Sequence, residues 1–163
     1  MLRFAPAVCL TLCLTMPLSA MAQQAQVAFG GLKQDTSLPV EIEADSLTVN
    51  NADGSAEFAG NVLVGQGDMR LTAGAIRVEY GTDGKSINRL IASGGVTLAS
   101  GAEAAEAKEA IYTIATGEVV MTGDVLLTQG QTALSGQKLI IDLTAGTGRM
   151  EGRVQTTFIP GQN

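Results

Sequence analysis

The sequence predicts an all-β domain, a sandwich or jelly roll of short antiparallel strands, and three observations predict it. Apolar residues alternate at period two through most of the chain, and no useful stretch follows the helical period. Clusters of Gly, Asn and Asp separate these runs at short intervals, as turns between strands require. One unit of about 29 residues also recurs, the mark of a repeat architecture.

The N-terminus stands apart from that pattern. Arg3 is followed by an almost wholly apolar stretch from Phe4 to Leu18 and then by Ala20-Met21-Ala22, small residues two apart. This is the layout of a cleavable secretory signal, so residues 1–22 are expected to be removed on export. The apolar run is shorter than the roughly 20 residues of a spanning helix, and Pro17 sits near its end. Cys9 and Cys13 lie away from the cleavage point, which argues against a lipid anchor there, and both leave with the signal. The mature chain of 141 residues (163 minus 22) therefore relies on packing and sheet hydrogen bonds rather than on disulfides. That is long enough for one domain. Residues 23–38, Gln-rich and then loop-like, read as a flexible N-terminal arm; 39–158 read as the β domain and 159–163 as a tail.

Within the domain, Gly60-Asn61-Val62-Leu63-Val64 recurs as Gly94-Gly95-Val96-Thr97-Leu98, Gly123-Asp124-Val125-Leu126-Leu127 and Gly152-Arg153-Val154-Gln155-Thr156. Seven residues after the leading glycine the first three copies carry a second glycine, at Gly67, Gly101 and Gly130. Sixteen residues after it begins another apolar strand, at Ile76, Ala110 and Leu139. The leading glycines are 34, 29 and 29 residues apart, and the extra five fall in Gly81-Thr82-Asp83-Gly84-Lys85, the chemistry of a longer hairpin turn. Leu47-Thr48-Val49 begins 13 residues before Gly60, as Leu139 does before Gly152, so a half repeat precedes the rest and the count is about three and a half.

Even offsets from the leading glycine are apolar in both strands, but Leu71 and Leu134 fall on odd ones, so a corner or bulge is expected at the second glycine. The segment Gly101–Ala110, rich in Ala, Glu and Lys, has helical propensity. Its register with the other copies makes it strands.

Charge and residue types restrict function. The mature chain carries 9 Lys and Arg against 16 Asp and Glu, a net charge of −7, and no basic block, so nucleic acid is excluded as a partner. With no histidine and no mature cysteine, a nucleophilic triad lacks its base and a thiolate route its nucleophile. No catalytic residue, metal site or cofactor is expected. Glu41, Glu43 and Asp45 alternate along one strand and read as the solvated face of an edge, which charge protects from unwanted pairing. What remains is the apolar face itself. Val62, Val64, Ile76, Val78, Val96, Leu98, Val125, Leu127, Leu139 and Ile141 form either a closed core or the lining of an open groove that takes up acyl chains at roughly 0.8 kcal/mol per buried CH₂.

Pro39-Val40-Glu41-Ile42-Glu43-Ala44-Asp45-Ser46-Leu47, then Ala56-Glu57-Phe58-Ala59-Gly60-Asn61-Val62, Leu71-Thr72-Ala73-Gly74 and the recurring Gly-Asp-Val-Leu-Leu and Ser-Gly-Gln-Lys-Leu segments resemble the LptA (OstA-like) family of periplasmic lipopolysaccharide-transport proteins. The resemblance covers about residues 38–158. It departs from the family where an acidic or amide residue commonly follows the small residue of the second strand; Gly74, Lys108 and Gln137 stand there. The resemblance implies a slightly twisted β-jellyroll open at both ends, in the periplasm, with lipopolysaccharide acyl chains in the ten-residue groove and sugars outside. It also implies LptC and the LptD N-terminal domain as partners and head-to-tail self-association. Two alternatives accompany it: an LptC-like component that keeps its N-terminal anchor, and a structural envelope repeat protein with a closed core and no ligand.

Overall fold

The computed structural model describes residues 25–28, 32–52 and 54–157. The predicted signal at 1–22 and the tail at 159–163 lie outside them. In chain order the strands are β1 (Ala25–Ala28), β2 (Glu41–Glu43), β3 (Ser46–Asn50), β4 (Ser55–Gln66), β5 (Met69–Tyr80), β6 (Ile87–Ser93), β7 (Val96–Ser100), β8 (Glu103–Ala107), β9 (Glu109–Thr113), β10 (Glu118–Gln129), β11 (Thr132–Asp142), β12 (Thr147–Glu151) and β13 (Gln155–Thr157). All pairings are antiparallel, as in a jelly roll.

Four long strands organise the molecule because each changes partner half-way along. β4 pairs through its first half with β3 and through its second with β2. β5 meets β7 with its first half and β6 with its second; β10 meets β9 and then β8; β11 meets β13 and then β12. The result is two facing layers. One runs β3, β4, β5, β6, β9, β10, β11, β12, β1; the other runs β2, β4, β5, β7, β8, β10, β11, β13. They share one apolar interior and are joined along one side by the bends of the long strands.

The bends are bulges at the leading glycines. In the β4–β5 ladder Ala59 faces Ala75 and Val62 faces Ala73, so Gly60 and Asn61 together oppose Gly74. In β10–β11, Gly123 and Asp124 oppose Gln137 in the same way. Gly123 has φ +85° and Asp124 φ +49°, two successive left-handed residues that turn the strand sharply. The second glycines do something else. Gly67, Gly101 and Gly130, at φ +56° to +58°, each open a two-residue hairpin turn. The expected corner at the second glycine is therefore corrected. The two-residue turn shifts the inward parity from even to odd, from Gln66 to Met69, and the bulge side of the fold restores it between Ala73 and Ile76.

Gly101–Ala110 forms strands β8 and β9, as its register predicts. Each is paired on both edges, and those ladders override the helical preference of the Ala-Glu segment. The expected flexible arm also differs. Ala25–Ala28 pairs with β12, and Leu32 is fully buried among the core residues. The partners of this stretch lie far away in sequence, which local composition does not register.

Candidate functional site

The ten predicted lining residues converge. Ile76, Val78, Leu139 and Ile141 lie in the layer of β3 and β12, while Val62, Val64, Val96, Leu98, Val125 and Leu127 lie in the opposite layer, and none is more than 2% exposed. Alternate residues of each strand point outward, so the inward set is almost purely aliphatic. Ala56, Leu90, Ala92, Ala110, Tyr112, Val119, Met121 and Met150 extend the wall of the first layer. The side chains of the two layers pack against one another, so acyl chains enter only if the layers part or the side chains rearrange.

Among the described residues, nothing seals the N-terminal end of the roll. Leu47 and Val49 on β3 sit directly opposite Phe58 and Ala56, on the same inward face, yet are 54% and 60% exposed. On the outer surface Glu41 and Glu43 are exposed on either side of the half-buried Ile42. Asp45 accepts a 2.7 Å hydrogen bond from Asn61 Nδ2 across the bend. At the third bend Lys108 Nζ lies 2.5 Å from Asp124 Oδ2, which holds the Asp124 carboxyl below its usual range and raises Lys108. Both side chains are about two-thirds exposed (71% and 68%), so solvent screens the pair and its contribution is small. At the second bend Gly74 lies against the backbone of Ser93 and Gly94. The three residues that depart from the family pattern therefore stand at equivalent bends.

Opposite the bends, where both layers end in turns, polar groups break the aliphatic pattern. Gln66, the last residue of β4, is 1% exposed and accepts a 2.6 Å bond from the buried Tyr112 hydroxyl on β9 of the other layer. Burial pushes the Tyr112 phenol up. Ser100 and Glu103 end β7 and begin β8, both buried, and Gln129 Nε2 donates to Glu103 Oε1 at 2.6 Å. Sequence reasoning missed this rim, although a signal was present: Gln66, Ser100 and Gln129 each occupy the sixth position after a leading glycine, on the apolar parity.

The comparisons with known proteins agree with this architecture. A family model described as "LptA/(LptD N-terminal domain) LPS transport protein" matches residues 41–147. The chain belongs to this family. An uncharacterized protein of Rhizobium meliloti (strain 1021) is 31% identical over 153 residues, covering 87% of this chain and 82% of that protein. Among solved structures, LptH, described as the LptA-homologous periplasmic component of the lipopolysaccharide transport device of Pseudomonas aeruginosa, superposes with a TM-score of 0.69. It is 18% identical and the match covers 78% of this chain and 99% of LptH, a likeness of fold. The LptA-like jelly roll read from the sequence is thus the fold of this protein.

Proposed function

We propose that this protein is exported to the periplasm, where it binds lipopolysaccharide and forms part of the path that carries it from the inner to the outer membrane. The observation that carries this reading is the convergence of the ten aliphatic residues on one interior whose N-terminal end leaves Leu47 and Val49 exposed. Acyl chains are held there by burial alone, at roughly 0.8 kcal/mol per CH₂. The acidic outer surface leaves phosphates and sugars in solvent. The reading assigns the protein no catalysis.

Assembly follows from the edges. Among the described residues β2 and β3 end the two layers on one side and β13 ends one layer on the other, so these edges are where strand addition would take place. Head-to-tail copies, with an LptC-type component at one end and the N-terminal domain of LptD at the other, would continue the interior from one molecule to the next.

Photo-crosslinking tests the site directly. A probe at Val96, 2% exposed and inward, is expected to label tagged lipopolysaccharide, while one at its neighbour Thr97 on the opposite face is not. Labelling at neither position, in a protein with unchanged circular dichroism, would favour a closed structural repeat protein. N-terminal sequencing of the secreted form, beginning at Gln23, separates an exported subunit from an anchored LptC-like one.

A further inference from the structure

The stretch from Leu32 to Leu38 lies along the side of the roll opposite the bends and touches both layers there. The backbone N–H of Gln34 donates to the Leu143 carbonyl at the end of one layer, at 2.8 Å, and its side-chain Nε2 donates to Ser100 Oγ of the other, at 2.7 Å. Gln66 Nε2 donates to the carbonyls of Thr36 and Leu38, at 3.1 and 2.9 Å, while its Oε1 holds Tyr112. Leu32 projects fully buried into the core. A short chain segment is thus fastened to each lip of the turn edge by polar bonds and plugged by one apolar side chain.

That position matters because the opposite side of the roll is closed covalently. β4, β5, β10 and β11 run through the bends without a break, so no group passes between the layers there. An amphiphile with its chains inside and its sugars outside must thread its polar neck through the turn edge. Leu32–Leu38 occupies that edge. The rim beneath it offers the groups a neck of amides and hydroxyls would bond: two N–H donors of Gln66 now held by the segment, the Ser100 hydroxyl, and Glu103 Oε2, a buried carboxylate oxygen with no hydrogen-bond partner among the described residues.

We propose that residues 32–38 are a displaceable strap over the lateral slit, and that the amide and hydroxyl groups of an acylated sugar take its place on Gln66, Ser100 and Glu103 when lipid binds. This rests on the lipid-binding reading above and adds to it the route by which the lipid seats. The strap competes with the neck for the Gln66 amide donors and for the Ser100 oxygen, so the loaded protein should hold it open.

Hydrogen exchange read by mass spectrometry tests the idea on the unaltered protein. Exchange of peptides spanning 32–38 is compared in non-ionic detergent micelles with and without lipopolysaccharide, and co-elution of the lipopolysaccharide is scored separately. The expected result is co-elution with exchange in 32–38 at least tenfold faster, since the Gln34 amide loses its Leu143 acceptor. Co-elution with strap exchange unchanged or slower would overturn the strap and leave lipid binding standing; no co-elution would overturn both. Gln34→Ala, which removes the Ser100 contact from a half-buried position, gives the second arm. Uptake of lipopolysaccharide should be several-fold faster than in the parent protein, and equal uptake rates despite faster strap exchange would show that the segment gates nothing.

Discussion

Gly123→Ala and Gly95→Ala form a controlled pair that tests how tightly the bends are packed. The two glycines have φ of +85° and +83°, so the backbone penalty of a side chain is nearly common to both. That penalty is about 1–2 kcal/mol, and the narrower freedom of alanine in the unfolded chain offsets about 0.4–1 kcal/mol of it. A Cβ at Gly95 would meet nothing within 4 Å, so that variant should lose about 1 kcal/mol. A Cβ at Gly123 would lie 2.9 Å from Cβ and 3.0 Å from Cδ of Lys108. The first of these atoms is fixed to its strand and cannot swing away, so the backbones must part, and overpacking of this kind costs roughly 1–3 kcal/mol. Gly123→Ala should therefore be less stable than Gly95→Ala by about 2 kcal/mol. Urea titrations followed by far-UV circular dichroism measure this, provided both variants keep the parent m value. Lys108→Gly supplies the relief, because Gly74 against Gly94 already shows a bend with no side chain on either side. The double variant should recover about 1 kcal/mol or more as a coupling energy. Equal midpoints for the two alanine variants, or losses that simply add, would refute the packing account of the bends.

Two further outcomes follow from single contacts. Tyr112→Phe removes the hydroxyl that donates to Gln66 Oε1 in a buried site and should cost about 1–3 kcal/mol in urea unfolding, whereas Tyr80→Phe, on a 40% exposed residue, should change little. The hydroxyl of Ser86 and the amides of Lys85 and Ser86 hold Asp83 at a pKa of about 2, below its ordinary 3.8, so its contribution is present above pH 4 and disappears as pH falls toward 2. Asp83→Asn should flatten that part of the stability–pH profile, and a profile identical to the parent's would contradict the assignment.

Much of this was legible because the repeat carries its own register. The leading glycine fixes which residues of each copy point inward, and counting from it placed all ten interior positions, from Val62 to Ile141, without reference to tertiary contacts. The same count makes Ala104-Ala105-Glu106-Ala107 strand despite its helical composition, as its ladders on both edges do. The bends were harder to place, since a hairpin turn and a bulge both ask for glycine at positive φ, and composition does not separate Gly60 from Gly67. The strap was not legible at all. Gln34 meets Ser100 across 66 residues, and nothing local in Leu32–Leu38 marks it as anything but loop. Gln66 was visible in principle, as a polar residue on an apolar parity, but only in hindsight of the two-layer arrangement does that parity point at a rim.

The bends also determine how such a molecule can vary in size. Each repeat contributes one glycine corner, two half-strands to each layer and one turn at the far edge of each layer, so the number of repeats changes the length of the roll while the half-strands alone set its cross-section. The extra residues of the first repeat were absorbed at Gly81–Lys85, in a turn, with the corner at Gly94 left in register. Insertions belong at the turns, and whole repeats are the natural increment of growth. At β2, β3 and β13, the edge strands among the described residues, one more repeat and, on the proposed reading, a neighbouring molecule would meet the same ladder of groups, so for the backbone the two are the same operation.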